Sequence, residues 1–123
     1  MKNIVMMKLL LILAFFISSI VWADVPAGQE KEVNHLLDFV KNSHCIINRN
    51  GTDYPAEKGI EHIQKKYNYF RDDIKNTEDF IAYSAARSTM SGEDYTVTCP
   101  GKETIKTQDW LLAELKRYRL GNN

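Results

Sequence analysis

Residues 45–74 have the sequence CIINRNGTDYPAEKGIEHIQKKYNYFRDDI, and this stretch decides the fold. It opens with a short β-prone run and then reaches Asn50-Gly51, a pair that tolerates positive φ angles and is typical of a type I′ hairpin turn. The tip also matches the acceptor pattern for N-glycosylation, but a tight turn explains these residues better. Residues 52–54 are therefore predicted to form the return strand of a hairpin.

Apolar residues recur at helical spacing directly after this hairpin. Pro55 suits the first turn of a helix. The apolar positions that follow are three or four residues apart: Ala56, Ile60, Ile63, Tyr67, Phe70 and Ile74. This stripe predicts an amphipathic helix that buries one face. Gly59 weakens a helix by about 1 kcal/mol relative to alanine, so we expect it to mark a close contact.

Three further helices and one further strand are predicted around this stretch. The helical stripes are Val33, Leu36, Leu37 and Val40 in a helix from Glu30, Phe80, Ile81, Ser84 and Ala85 in a helix capped by Thr77, and Leu111, Leu115 and Tyr118 in a helix capped by Thr107. Residues 95–99 alternate with a period of two, which indicates a strand. The predicted fold class is α+β, with about four helices packed with a small antiparallel sheet or hairpin.

Cys45 and Cys99 are the only cysteines, so they can pair in one way. If Cys45 shares a strand face with Ile47, and Cys99 shares one with Val97, both thiols point into the same apolar layer. We predict a structural disulfide that closes a loop of about 54 residues and stabilises the fold by about 4 kcal/mol in the chain-entropy model. Two cysteines so far apart form neither a Cys-based structural zinc site nor a Cys-x-x-Cys redox motif.

The N-terminus has the pattern of an export signal. Lys2 and Lys8 give a positively charged N-terminal segment, and residues 9–21 form an apolar run. The small residue Ala23 then ends a segment that fits a cleavage site. The run is short for a bilayer span, which needs about 20 apolar residues, and an uncleaved anchor is the alternative. We therefore predict a cleavable signal peptide at residues 1–23, a single mature domain at residues 24–123, and a periplasmic or secreted protein.

The charge balance excludes several classes of function. The chain has 16 basic and 16 acidic residues, and loss of the signal peptide leaves a net charge of about −2. Lys65-Lys66 and Arg71 form only a mild basic patch that acidic neighbours dilute. We therefore expect no nucleic-acid partner, and no membrane attachment once the signal has been removed.

Motifs for metal binding, phosphate binding and nucleophilic catalysis are missing from the sequence. His35, His44 and His62 form no H-x-x-x-H pair, and no glycine-rich phosphate loop or G-x-S-x-G motif occurs. Adjacent carboxylates such as Asp72-Asp73 point in different directions on a helix, whereas acid–base catalysis needs opposed groups. We expect no metal, no cofactor and no catalytic residue of these kinds.

Two polar segments are the candidates for binding. Arg49 and Asn50 lie at the predicted hairpin tip, and Arg87 and Ser91 lie in the longest polar loop. A hairpin tip that a disulfide holds rigid can present its side chains to a partner or a ligand. We therefore take Arg49, Asn50, Arg87 and Ser91 as the candidate binding residues.

The chain also carries a set of short motifs in a defined order. They are Leu-Leu-Asp-Phe-Val at 36–40, Arg49-Asn50-Gly51, Ala56-Glu57, His62, Lys65-Lys66-Tyr67, Glu78-Asp79-Phe80-Ile81, Ser91-Gly92 with Tyr95, Cys99-Pro100-Gly101 and Trp110-Leu111. Over nearly all of residues 30–119 this set resembles the small exported proteins, mostly of Gram-negative bacteria, that are grouped as a domain of unknown function. The resemblance implies an exported or periplasmic protein and supplies no catalytic residues.

The sequence thus favours a monomeric, non-catalytic binding or interaction module. Its partner would be an unidentified periplasmic protein or a small ligand. The alternatives are a structural envelope protein and a small periplasmic hydrolase or other enzyme that uses the 87–95 loop with Arg49 or His62. An enzyme requires at least two of these groups to converge in a concave pocket.

Overall fold

The computed structural model describes residues 27–122, so the signal peptide predicted at residues 1–23 lies outside the described residues. The described part forms four helices and a four-stranded sheet. In chain order these elements are α1 Ala27–Lys41, β1 Ile46–Arg49, β2 Thr52–Pro55, α2 Ala56–Tyr69, α3 Thr77–Ser84, β3 Thr96–Thr98, β4 Ile105–Lys106 and α4 Thr107–Gly121. The predicted α+β class is confirmed.

The sheet is antiparallel throughout and has the strand order β2-β1-β3-β4. Ile47 in β1 lies opposite Tyr54 in β2 and Val97 in β3, so these three side chains share one face. The φ angles of Asn50 and Gly51 are 52° and 82°, as a hairpin tip of this kind requires. The predicted hairpin is therefore confirmed.

The helices cover one face of the sheet. Helices α2 and α4 contact the strands, while α1 and α3 pack against α2 and α4. The core between them includes Val33, Leu36, Val40, Ile47, Ile60, Ile63, Tyr67, Phe80, Ile81, Val97, Leu111 and Leu115. A Cβ atom added to Gly59 would lie 2.6 Å from Ile47 Cδ1, which confirms the close contact expected at this glycine.

Several element boundaries differ from those predicted. The first helix begins at Ala27 rather than Glu30, and β4 has no counterpart in the prediction. Helix α2 ends at Tyr69, although its apolar stripe continues to Ile74. The Ile74 backbone N–H donates to the Phe70 carbonyl at 3.2 Å in a tight turn, and this turn returns the Ile74 side chain to the core.

The predicted caps of the last two helices are also wrong. Asn76, not Thr77, caps α3, because its Oδ1 accepts from the Asp79 backbone N–H at 2.7 Å. Thr77 is buried and donates its hydroxyl to Glu32 on α1 at 2.7 Å. Lys106 occupies the cap position of α4 and makes no side-chain cap bond, while Thr107 is buried inside the first turn.

The disulfide between Cys45 and Cys99 is present, with an S–S distance of 2.11 Å. Cys45 directly precedes β1, and Cys99 directly follows β3. These two strands are neighbours in the sheet, so the bond covalently ties two paired strands together. The predicted disulfide is therefore confirmed.

Polar side-chain contacts join α1, α3 and α4. Arg119 on α4 lies 2.6 Å from Glu32 on α1 and 2.5 Å from Glu78 on α3. His35 on α1 lies 2.6 Å from the buried carboxylate of Glu114 on α4. Within residues 27–122, none of the helices has both the length and the apolar character needed to cross a lipid bilayer.

Candidate functional site

Polar side chains gather where the inner face of the sheet reaches the hairpin tip. Arg49 follows the buried Ile47 by two residues, and Tyr95 precedes the buried Val97 by two residues, so both belong to the helix-covered face. Helix α2 crosses this end of the sheet and contributes His62 and Lys66, which are four residues apart and share a helix face. We call Arg49, His62, Lys66 and Tyr95 the Tyr95 cluster.

The members of the Tyr95 cluster surround one phenol group. The Nε2 atom of His62 lies 3.1 Å from the Tyr95 hydroxyl oxygen. The Nζ atom of Lys66 donates to the Arg87 backbone carbonyl at 2.6 Å and lies 3.5 Å from the same hydroxyl. The guanidinium carbon of Arg49 lies 6.0 Å from the centre of the Tyr95 ring. Three nitrogen-bearing side chains are thus held around one aromatic residue.

Lys66 is the least accessible cation of the Tyr95 cluster, at 8% exposure. Burial lowers its pKa, and the positive charges of Arg49 and Arg87 lower the pKa further. Its hydrogen-bond partners in the described part of the chain are a carbonyl and a phenol, neither of which carries a negative charge. Charges inside proteins are normally paired, so a buried lysine without a carboxylate is unusual.

An open cavity of about 580 Å³ adjoins Lys66. Phe70 and Tyr83 supply aromatic surface, and their ring centres lie 5.4 Å apart. Lys66, Arg87 and Ser88 line the same cavity. We call it the Phe70–Tyr83 cavity; its volume lies within the range of small-molecule sites, and it combines aromatic surface with positive charge.

A smaller cleft of about 170 Å³ adjoins two other members of the Tyr95 cluster, Arg49 and His62. It is lined by Arg49, Tyr54, Lys58, Glu61, His62 and Lys65. We call it the Arg49 cleft. The two concavities therefore adjoin different members of the Tyr95 cluster; the larger one is mainly apolar and the smaller one is mainly cationic.

The four binding residues predicted from the sequence lie at one end of the molecule. Asn50 donates from Nδ2 to the Ser88 hydroxyl at 3.3 Å and accepts the Ser91 hydroxyl at 2.7 Å, so the hairpin tip is bonded to the 87–95 loop. Arg49 lines the Arg49 cleft, whereas Arg87 lines the Phe70–Tyr83 cavity. Asn50 and Ser91 thus connect the two segments, and their role in binding stays a prediction.

Sequence reasoning missed the central residue of this arrangement. From the sequence, Lys66 is placed in a mild basic patch and not among the candidate binding residues, yet Lys66 is buried beside Tyr95. The signal was available, because Lys66 follows Ile63 by three residues and Gly59 by seven and therefore lies at the edge of the buried stripe. Residues 27–122 contain no group of three or more His, Cys, Asp or Glu side chains arranged to hold a metal ion.

Comparison with known proteins places this architecture in a family. The family model of DUF5329, described as a family of unknown function, matches residues 27–119. The chain belongs to this family. The uncharacterized protein YfeK of Salmonella typhimurium is 30% identical over 85 residues, which cover 68% of this chain and 71% of YfeK. No solved structure matches the chain.

Membership of DUF5329 confirms the resemblance drawn from the sequence motifs. The matched segment includes both cysteines of the disulfide and every member of the Tyr95 cluster. Neither the description of the family nor that of YfeK names an activity. The chemistry of the site is therefore the basis for a proposed function.

His62 makes the stability of this DUF5329 domain sensitive to acid. Burial and the charges of Arg49, Lys66 and Lys65 lower the pKa of His62 from 6.5 to about 4, and Tyr95 faces it as a neutral phenol. Between these values the unfolded chain binds the proton and the folded chain does not, so stability falls as the pH drops from about 6.5 to about 4. Allowing for solvent screening, we expect a loss of about 1–2 kcal/mol in urea unfolding experiments.

A His62→Gln variant should lose this part of the pH dependence, because glutamine keeps a hydrogen-bonding group and does not titrate. His44→Asn is the matched control: His44 is exposed and has a φ angle of 58°, which asparagine tolerates. The control should keep the acid sensitivity of the parent. An unchanged pH profile in His62→Gln would show that another group is responsible.

Proposed function

We propose that this protein is an exported, monomeric, non-catalytic binding module whose Phe70–Tyr83 cavity takes a small organic anion with an aromatic body. The observation that carries the proposal is Lys66, a buried cation that lines an apolar cavity and has no carboxylate partner in the described part of the chain. The disulfide supports export, because such bonds persist in oxidising compartments. A small ligand, rather than a protein partner, fits the size of the cavity.

The energetics of Lys66 favour a role in binding over a role in folding. A buried ammonium loses its hydration, and the nearby charges of Arg49 and Arg87 repel it. Arg87 is itself partly neutralised by Asp94 at 3.7 Å, whereas Lys66 is not. An acidic group on a ligand would offset the lysine charge in a site of low dielectric, and this interaction is stronger there than in water.

The aromatic walls of the cavity favour a ligand whose remaining part is apolar and aromatic. Phe70 and Tyr83 present ring surface, and Tyr83 remains 40% exposed. Burial of apolar surface contributes about 25 cal/mol per Å², and aromatic rings prefer stacked or edge-to-face partners. A flat aromatic body with one acidic group therefore satisfies both the walls and Lys66.

Binding is a better account of the site than catalysis. Arg49 and His62 do converge in the Arg49 cleft, which meets the geometric condition for an enzyme. Nucleophilic catalysis also requires a hydroxyl or thiol within hydrogen-bond reach of a base. Among residues 27–122, the hydroxyl that hydrogen-bonds to His62 belongs to Tyr95, which is buried and so shielded from a substrate, and no serine, threonine or cysteine side chain hydrogen-bonds to His62 or Lys66.

A matched pair of fluorescent probes tests this proposal. The probe 1-anilinonaphthalene-8-sulfonate has an aromatic body and one anionic group, whereas N-phenyl-1-naphthylamine has the same body without the charge. We expect saturable binding of one sulfonate probe per protein, about tenfold tighter than binding of the neutral probe. Equal affinity for the two probes would contradict a role for the buried cation.

Substitution of Lys66 tests whether the preference for the anionic probe arises from this lysine. Lys66→Met should weaken binding of the sulfonate probe by about tenfold and leave binding of the neutral probe nearly unchanged. The unfolding temperature should stay the same or rise, because the substitution removes an unpaired buried charge. Lys116→Gln removes an exposed lysine of α4 and serves as the matched control. If both variants affected the probe equally, nonspecific attraction by surface charge would explain the binding.

A further inference from the structure

The Arg49 cleft contains donors that the fold does not use. The guanidinium carbon of Arg49 lies 4.6 Å from the centre of the Tyr54 ring, so the aromatic face supports the planar group. Its Nε and Nη1 atoms are buried, and neither finds a hydrogen-bond acceptor among the described residues. Buried donors are nearly always satisfied, so these two are unusual, and an acceptor that entered the cleft beside the guanidinium would remove their cost.

The charges that face the Arg49 cleft are predominantly positive. Lys58 and Lys65 line it from α2, opposite Arg49 on β1. Glu61 is the acidic residue of the lining, and it lies 3.6 Å from Lys58, with both side chains 64% exposed. Lys58 offsets the charge of Glu61, which leaves Arg49 and Lys65 as the net positive charges of the cleft.

His62 completes the cleft as a neutral hydrogen-bonding group. The surrounding cations and burial hold its pKa at about 4, so at neutral pH the imidazole carries no charge. In the tautomer in which Nε2 accepts from the Tyr95 hydroxyl, the Nδ1–H group of the ring can donate to a ligand. A cleft with a guanidinium fork, a lysine and a neutral imidazole is suited to a group that has several acceptor oxygens.

We propose that the Arg49 cleft is a second binding site, which takes a phosphate-type oxyanion through the guanidinium of Arg49, with Lys65 and His62 as additional donors. The guanidinium carries a positive charge and has unsatisfied N–H donors on two of its edges, which suits an oxyanion that offers several acceptor oxygens. The cleft volume of about 170 Å³ suits a group of this size, whereas drug-sized ligands occupy about 300 Å³ or more. The residues differ from those that line the Phe70–Tyr83 cavity, so this site is independent of the proposed function.

The test is a titration of the ¹⁵N-labelled protein with inorganic phosphate at constant ionic strength, followed by amide chemical shifts. We expect saturable shifts around Arg49 and His62, with a dissociation constant in the millimolar range. Acetate, which has a single charge and two oxygens, should bind at least tenfold more weakly. Glycerol 3-phosphate identifies the source of the group, because tighter binding than inorganic phosphate indicates a monoester and weaker binding indicates the free ion.

Variants assign the shifts to the cleft. Arg49→Gln should weaken phosphate binding at least tenfold. Arg49→Lys should retain only part of the parent's affinity for phosphate, because lysine keeps the charge but lacks the planar guanidinium group. Lys65→Gln should weaken binding about threefold, whereas Lys102→Gln, which removes an exposed lysine elsewhere, should leave it unchanged. Equal effects of the two lysine variants, or equal affinity for acetate and phosphate, would overturn the proposal.

The proposal for the Arg49 cleft and the proposed function can be refuted independently of each other. Saturating phosphate should leave binding of the neutral naphthylamine probe unaltered, because that probe occupies the Phe70–Tyr83 cavity. Loss of phosphate binding with intact probe binding would refute the Arg49 cleft alone. Loss of probe binding with intact phosphate shifts would refute the proposed function alone.

Discussion

An Ile63→Asp variant should lose most of the stability of the domain. Ile63 lies in the middle of α2 and is 4% exposed, and it belongs to the core that α2 forms with the sheet and the other helices. The substitution places a carboxylate among the apolar side chains of the core, and it also removes apolar contacts. We expect the free energy of unfolding to fall by about 4 kcal/mol or more, out of a total of about 5–15 kcal/mol for a small domain.

Urea unfolding followed by circular dichroism measures this loss, and the neighbouring residue supplies the control. Gln64→Asp introduces the same charge one residue later, on the exposed side of α2. Its cost should stay below about 1 kcal/mol, mainly from helix propensity. Similar losses in the two variants would show that the stripe of α2 does not face the core.

The elements that sequence reasoning predicted well are those determined by local chemistry. Asn50-Gly51 forms a hairpin tip because both residues accept positive φ angles, whatever the rest of the chain does. The stripe of α2 predicts its buried face because apolar residues recur with the helical period over many turns. Gly59 was expected to mark a close contact, since its cost to the helix requires a compensating gain elsewhere.

The errors occur where the local sequence offers equivalent choices. Asn76 and Thr77 are both good capping residues and are adjacent, so propensity alone cannot choose between them. The choice depends on α1, because Glu32 accepts the Thr77 hydroxyl and leaves Asn76 to cap the helix. Strand β4 has two residues, Ile105 and Lys106, too few for a period of two to be recognised.

The site depends even more strongly on tertiary structure. Arg49 and Tyr95 are 46 positions apart in the sequence, and only the pairing of β1 with β3 brings them to the same end of the sheet. Strand alternation correctly placed Tyr95 on the inner face with Val97. The meeting of Arg49 with His62 and Lys66 required the crossing of α2 over that face, which no local pattern specifies.

Removal of the disulfide should be the other large perturbation of this fold. The bond joins residues 54 positions apart, and a loop of that length gives about 4 kcal/mol in the chain-entropy model. A Cys45→Ala/Cys99→Ala double variant should therefore lose about that amount of unfolding free energy. Urea unfolding of the parent and the double variant, each with and without a reductant, measures the loss and contains its own control.

The reductant decides whether the missing bond causes the loss. It should lower the stability of the parent to near that of the double variant and leave the double variant unchanged, because only the parent has a bond to break. Mass spectrometry should show a gain of about 2 Da when the parent is reduced. Two free thiols in the parent protein before reduction would contradict the disulfide. An equal effect of the reductant on both proteins would show that the missing bond does not cause the stability loss.

The disulfide also bears on the Arg49 cleft, because it ties β1 to β3, the strands that bring Arg49 and Tyr95 together. The reduced parent should therefore bind phosphate more weakly at temperatures where it is partly unfolded.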